Sequence, residues 1–107
     1  MNNKDLKINN FHILIIDDDE KIRQLLKQFL ENNEFKVTDV ESADQAKKIM
    51  KSLIFDLLVI DIMMPGQNGL EFLKEIRQTN SIPTLMLTAM SSPEDRLDVL
   101  NMAQMII

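Results

Sequence analysis

The sequence contains no cysteine, and this absence excludes several kinds of chemistry. Without thiols the chain has no disulfide framework, no cysteine nucleophile and no thiolate metal site. Long hydrophobic runs are also lacking, because the longest apolar segments are far too short to span a bilayer. The polar residues 1–10 do not form the apolar region of a signal peptide, so we expect a cytoplasmic protein with no membrane partner.

Basic residues are also fewer than acidic ones. The chain has 12 Lys and Arg against 17 Asp and Glu, a net charge of -5. A nucleic-acid surface needs clustered Lys and Arg to neutralise phosphates, so we expect no nucleic-acid binding by this chain itself. Its 107 residues, 45% hydrophobic and 27% charged, suit one globular domain with a single core. We predict one domain over residues 1–107, with a polar N-terminal extension over 1–10.

What the chain does have is short apolar runs that end in polar residues. These are residues 13–16 before Asp17, Asp18 and Asp19, residues 57–60 before Asp61, and residues 85–87 before Thr88. Such runs are typical of strands buried on both faces of a parallel sheet. The residues that follow parallel strands gather on one edge, where open α/β sheets bind ligands. An edge with several carboxylates and one hydroxyl indicates a reactive site.

Segments with a helical period lie between these runs. The first has an inward stripe of Ile22, Leu25, Leu26, Phe29 and Leu30, and should stop at Asn32 and Asn33. Residues 35–40 alternate as an edge strand does, and His12 at the start of the first strand is interpreted as structural. Three further helix starts are predicted: Ser42 with Gln45, leading to Ala46, Ile49 and Leu53; Asn68 with Glu71, leading to inward Leu70, Leu73 and Ile76; and Ser92 with Pro93, leading to Leu97 and Leu100.

The alternation of strands and helices predicts an α/β fold with a doubly wound parallel sheet. Carboxylates that converge at the edge of this sheet repel one another, and a divalent cation with oxygen ligands relieves the repulsion. Magnesium suits such a site together with a phosphoryl oxygen. A carboxylate in this setting can act as a nucleophile and form an aspartyl phosphate.

These motifs, in this order and at this spacing, resemble the receiver domain of two-component response regulators, the CheY-like family. The matching stretches are residues 13–23, 56–69 and 82–89, and the likeness runs from about residue 11 to about residue 100. The resemblance implies the flavodoxin-like sheet order 2-1-3-4-5. It also implies a phosphoacceptor that takes its phosphoryl group from a sensor histidine kinase, as the N-terminal part of a transcriptional regulator that binds DNA through a separate output domain.

Carried over residue by residue, the resemblance implies a role for each motif position. Asp61 is the phosphoacceptor, and Asp17, Asp18, Asp61 and the main-chain carbonyl of Met63 hold Mg2+. Thr88 is the switch hydroxyl, while Asp19, Pro65 and Gly69 shape loops.

The departure from the family pattern lies at the end of the sequence. The family's fifth-strand lysine would fall near position 110, and the sequence ends at Ile107. Residues 103–106 read Ala-Gln-Met-Ile where the family has Gly-Ala-Asp-Asp. We therefore expect a receiver whose fifth strand and fifth helix are missing or incomplete, either a fragment or a truncated form. We also expect it to self-associate through the uncovered face.

Two alternatives remain open. A haloacid-dehalogenase-like phosphatase also has an aspartate nucleophile after an apolar strand, a second aspartate two residues later and a later Thr, which Asp17, Asp19 and Thr88 mimic. That interpretation leaves Asp61 unexplained. The other alternative is a pseudo-receiver that binds partners without being phosphorylated, which only the absent lysine favours. An EF-hand is excluded, because Lys21 and Ile22 stand where a ligand and the turn glycine are required.

Overall fold

A computed structural model describes residues 11–62, 64 and 67–87 of the chain. Strands and helices alternate in this part of the sequence. They are β1 (His12–Ile16), α1 (Glu20–Asn32), β2 (Lys36–Val40), α2 (Ala43–Met50), β3 (Leu57–Asp61), α3 (Gly69–Arg77) and β4 (Thr84–Leu87). The helix predicted from Ser92 and the fifth strand lie outside the described residues.

The four strands form one parallel sheet in the order β2-β1-β3-β4. This arrangement confirms the predicted doubly wound α/β fold over the described ranges. Ile16 at the end of β1 is level with Val40 of β2 and Ile60 of β3. The register therefore brings the carboxyl ends of the central strands to the same edge.

The core has two layers, one on each face of the sheet, because successive side chains of a strand point to opposite faces. Residues 13–16 and 58–60 are fully buried in the two central strands. On one face, Leu14, Ile16, Leu58 and Ile60 pack with Ala43 and Ala46 of α2 and Phe72 and Ile76 of α3. On the other, Ile13, Ile15 and Val59 pack with Ile22, Leu26 and Leu30 of α1. The helices thus cover both faces, as expected for a parallel sheet.

Each of the three described helices begins with a side-chain cap. Ser42 and Asn68 are the predicted caps of α2 and α3, and Asp19 caps α1. Asp19 accepts the N–H of Ile22 (3.2 Å), and Asn68 accepts the N–H of Glu71 (2.9 Å). Ser42 accepts the N–H of Gln45 at 3.2 Å. The return contact of this last cap differs from a capping box, because Oε1 of Gln45 accepts the N–H of Glu41 and not that of Ser42.

Three leucines that the helical period predicts as inward are exposed, so this part of the prediction was wrong. Leu25 is 46% exposed, Leu53 42% and Leu70 49%. Leu53 lies beyond the end of α2 at Met50. In α3 the large buried side chains are Phe72 and Ile76, which are four residues apart. Leu70 is two residues before Phe72, a rotation of about 200° around the helix axis, so it lies on the opposite side of the helix.

Candidate functional site

Asp17 follows the last residue of β1 and is fully buried. Its N–H donates to the carbonyl oxygen of Val40 at 3.2 Å, which continues the pairing of β1 with β2 by one residue. Its Oδ1 accepts the N–H of Asp19 at 2.9 Å. Both the main chain and the carboxylate of Asp17 are therefore held by the local backbone.

Asp61 is the last residue of β3 and is 1% exposed. It is level with Leu87 of β4, and the N–H of Ile62 donates to the carbonyl oxygen of Leu87 at 3.1 Å. Among the described residues, the buried polar or charged side chains are those of His12, Asp17 and Asp61. Two of these three are carboxylates at the same edge of the sheet, which is a costly arrangement for a purely structural role.

The carboxylates of Asp17, Asp18 and Asp61 form an acidic cluster. One oxygen of each lies within 4.8 Å of the oxygens of the other two, with Asp18 exposed to solvent. Three anionic oxygens at this separation fit a single hard divalent cation, because such cations bind carboxylates from two or three directions at once. The donor set is all oxygen, so it favours Mg2+ or a similar ion over metals that prefer nitrogen or sulfur.

Asp19 does not join this cluster. Its carboxylate caps α1, and its main chain donates to Asp17. One oxygen of Asp19 is therefore engaged in the cap of α1, at the N–H of Ile22.

Gly69 packs directly against the main chain of Asp61. Its N–H donates to the carbonyl oxygen of Ile62 at 2.9 Å. A Cβ atom on residue 69 would lie 2.4 Å from the carbonyl oxygen of Asp61 and 2.9 Å from Cα of Ile62. Only glycine fits this approach without displacing the backbone next to Asp61. Met63, Pro65 and Thr88, the other residues predicted for this site, lie outside the described residues.

The model of the response regulator receiver domain family matches residues 13–106. The chain belongs to this family. As a receiver domain, it is grouped with signalling modules and not with classical enzymes.

Curated relatives agree with this assignment. The receiver domain is 43% identical to Protein PetR of Rhodobacter capsulatus over 87 residues, which cover 81% of this chain and 37% of PetR. It is 44% identical to the transcriptional regulatory protein CpxR of Escherichia coli K12 over 85 residues, 79% of this chain and 36% of CpxR. The matched region thus spans little more than a third of these relatives.

Solved structures show the same fold. The receiver domain is similar to the response regulator protein TrrA of Thermotoga maritima in complex with Mg2+ and BeF, with a TM-score of 0.70 and 38% identity. That match covers 76% of this chain and 71% of TrrA. A structure of histidine kinase ThkA in complex with TrrA matches with a TM-score of 0.70 and 37% identity, over 77% of this chain and 72% of that one.

The sequence patterns did not predict a contact that joins three residues of this receiver domain, Arg23, Lys27 and Asp39. Nη1 of Arg23 donates to the main-chain oxygen of Asp17 at 2.9 Å, and its Nε donates to Oδ2 of Asp39 at 3.0 Å. Lys27 also reaches Asp39, at 3.4 Å. The sequence contained one signal of this contact, since aspartate is uncommon within a strand and Asp39 lies inside β2.

His12 lies at the opposite end of β1 from the acidic cluster. Its Nε2 and Oγ1 of Thr38 are 2.7 Å apart, and its ring packs at a tilt on Phe55 with centroids 4.5 Å apart. Burial lowers the pKa of His12, the nearby Lys36 lowers this pKa further, and Asp56 opposes the shift. These contacts agree with the structural role predicted for this residue. None of the three helices in the described ranges has the length and apolarity needed to cross a membrane.

Proposed function

We propose that this receiver domain accepts a phosphoryl group on Asp61 in a reaction that requires Mg2+. The observation that carries the proposal is the acidic cluster, in which Asp61 and Asp17 are buried side by side at the carboxyl edge of the sheet. A buried carboxylate beside two others can act as a nucleophile once a cation neutralises part of their negative charge. The Mg2+ and BeF complex of TrrA supports the same chemistry for a relative.

The metal ligands in this proposal are Asp17, Asp18, Asp61 and the main-chain carbonyl of Met63. Asp18 and Asp61 would bind the ion directly and Asp17 mostly through water. Bound Mg2+ would supply positive charge that neutralises the carboxylates and the transferring phosphoryl oxygens. The chain's own contribution is to hold Asp61 by strand pairing and by its close contact with Gly69.

The phosphodonor is a sensor histidine kinase. A carboxylate oxygen of Asp61 forms the new P–O bond while the P–N bond of the donor phosphohistidine breaks, and the bonding electron pair stays on the imidazole nitrogen. The complex of ThkA with TrrA supports a kinase as the partner. Thr88 is the switch hydroxyl that responds to the phosphoryl group.

The relatives suggest the setting in which this receiver works. CpxR is a transcriptional regulatory protein, and its match to this chain covers 36% of its length. We propose that this receiver controls an output domain that binds DNA, while the receiver itself, with its net charge of -5, does not. A cytoplasmic location fits this role.

We also propose that this 107-residue chain self-associates along β4. Among the described strands β4 lies at an edge of the sheet, with Leu85 and Met86 partly exposed. An unpaired apolar edge favours pairing with a second chain. Light scattering over a dilution series tests this, and a monomer at every concentration would contradict it.

The phosphoacceptor is tested by labelling the chain with acetyl phosphate and Mg2+. Borohydride reduction followed by peptide mass spectrometry should locate the label at Asp61, and Asp61→Asn should remain unlabelled. Label that turns over at Asp17 would favour the phosphatase alternative, and no label at all would favour the pseudo-receiver. Either result would overturn the proposed function.

A further inference from the structure

Arg23 connects the acidic turn, residues 17–19, to the second strand. Its Nη1 donates to the main-chain oxygen of Asp17 (2.9 Å) and its Nε to Asp39 of β2 (3.0 Å). The side chains of Arg23 and Asp39 are only 12% and 15% exposed, so solvent competes weakly for these contacts. A guanidinium is a rigid planar donor that can hold two partners in a fixed relation. Arg23 therefore links the acidic turn to the end of β2.

The carbonyl that Arg23 holds belongs to the peptide between Asp17 and Asp18. The other end of Asp17 is held by its N–H bond to Val40, and its carboxylate by the N–H of Asp19. A rotation about ψ of Asp17 that is not compensated by φ of Asp18 would turn the two side chains relative to each other. The bond from Arg23 restrains this rotation from the α1 side.

Resting on the proposed function, we propose that Arg23 and Asp39 are positioning residues for the cation. The pair holds the peptide after Asp17 so that the carboxylates of Asp17 and Asp18 converge on Asp61. Asp39 also keeps the guanidinium on the main-chain oxygen. Without Asp39, Arg23 could pair with a carboxylate of the acidic cluster and compete with the cation.

The probe for this proposal is Mg2+ alone, titrated into the full chain and followed through the backbone amide signals of residues 17–19 and 61. Arg23→Gln should weaken Mg2+ binding by about tenfold, and Asp39→Asn by about threefold or more, as loss of an outer partner of metal ligands typically does. Because both residues act through one contact, Arg23→Gln combined with Asp39→Asn should bind no more weakly than Arg23→Gln.

Lys27→Gln is the matched control. It removes a positive charge from the same helix and from the same partner, Asp39, but Lys27 has no bond to Asp17 among the described contacts. Its Mg2+ affinity should stay within about twofold of the wild type. A second control, Ile13→Val, lies in the core below α1 and should lower the melting temperature without changing Mg2+ affinity.

The outcomes separate this inference from the proposed function. If the wild type shows no saturable Mg2+ binding, both are overturned. If the wild type binds and the Arg23 and Asp39 variants bind equally well, or if Ile13→Val weakens binding as much as they do, only the positioning role is overturned. Should Arg23→Gln fail to fold, the near-isosteric Asp39→Asn and the charge-retaining Arg23→Lys carry the test, and each should bind Mg2+ more weakly than Lys27→Gln.

Discussion

The first residue of α3, Gly69, lies against the carbonyl oxygen of Asp61, so close that a Cβ atom at position 69 would be 2.4 Å from that oxygen. The helix therefore touches the main chain of the residue that we propose as phosphoacceptor. The carbonyl oxygen of Ile62 accepts the Gly69 N–H and secures the same approach. We therefore expect a change at the helix start to reach the carboxylate of Asp61 through the backbone.

We predict that Gly69→Ala destabilises the protein and weakens Mg2+ binding. Alanine is the better helix former by up to about 1 kcal/mol, but overpacking against a fixed backbone costs about 1–3 kcal/mol. The cost of overpacking should be the larger of the two, so the urea midpoint should fall. Leu70→Ala, at the next and exposed position, is the control and should change both quantities little. A Gly69→Ala variant more stable than the wild type would contradict this prediction, because it would show that the backbone next to Asp61 can shift to accept a Cβ atom.

Mg2+ should raise the melting temperature of the wild type and not that of Asp18→Ala. Saturation to 100 times the dissociation constant adds about 2.7 kcal/mol to the free energy of unfolding, which raises the melting temperature of a domain of this size by about 10 °C. Removing one of the three proposed ligand carboxylates should abolish this increase. Met63→Ala should keep it, because the proposed ligand there is a main-chain carbonyl. An equal loss in both variants would contradict the ligand assignment.

Thr88→Ala should still accept phosphate from acetyl phosphate but lose the conformational response. A hydroxyl that reports the phosphoryl group is not needed to form the Asp61–phosphorus bond. Labelling at Asp61 measures the first property, and amide chemical shifts of residues after position 88, recorded with and without label, measure the second. Complete loss of labelling would assign Thr88 to the chemistry itself.

The stability of the protein should fall as the pH drops from 7.5 to 5.5, and His12 should account for part of the fall. The pKa of His12 is lowered in the folded protein. As the pH falls, His12 therefore takes up a proton in the unfolded chain near the ordinary histidine pKa of about 6.5, and in the folded protein only at a lower pH. Stability from neutral His12 is therefore complete above the unfolded-state pKa and decreases as the pH falls towards the folded-state pKa. Urea midpoints of the wild type and His12→Gln across this range test the prediction. Parallel pH profiles would contradict it.

Glu34→Gly should stabilise the protein. Glu34 has a φ of 70°, just after the Asn33 cap of α1, and the N–H of Phe35 reaches back to the carbonyl oxygen of Leu30. A side chain in this conformation costs about 1–2 kcal/mol, against about 0.5–1 kcal/mol of extra chain entropy for glycine. The net gain should be about 0.5–1 kcal/mol by urea denaturation. Glu34→Ala is the control and should give no such gain.

The order of elements could be predicted from the sequence because burial on both faces leaves an unmistakable pattern. Residues 13–16 and 57–60 are continuous apolar runs, and they are the central strands β1 and β3. The helix caps could also be predicted, because Ser42 and Asn68 each bond to a residue only three positions later in the sequence. The orientation of helix faces was less certain. Leu25 and Leu70 fit an apolar stripe in the sequence, and only the positions of the sheet and its neighbours left them exposed.

The sequence by itself determined which residues end the strands, and hence that Asp17 and Asp61 share an edge, because parallel strands carry their ends to the same side. Only the tertiary structure decided what holds those residues there. The contact of Gly69 with Asp61, and the bonds from Arg23 to Asp17 and Asp39, join positions 6 to 16 residues apart. Such contacts depend on how helices pack on the sheet, and local periodicity carries no information about that packing.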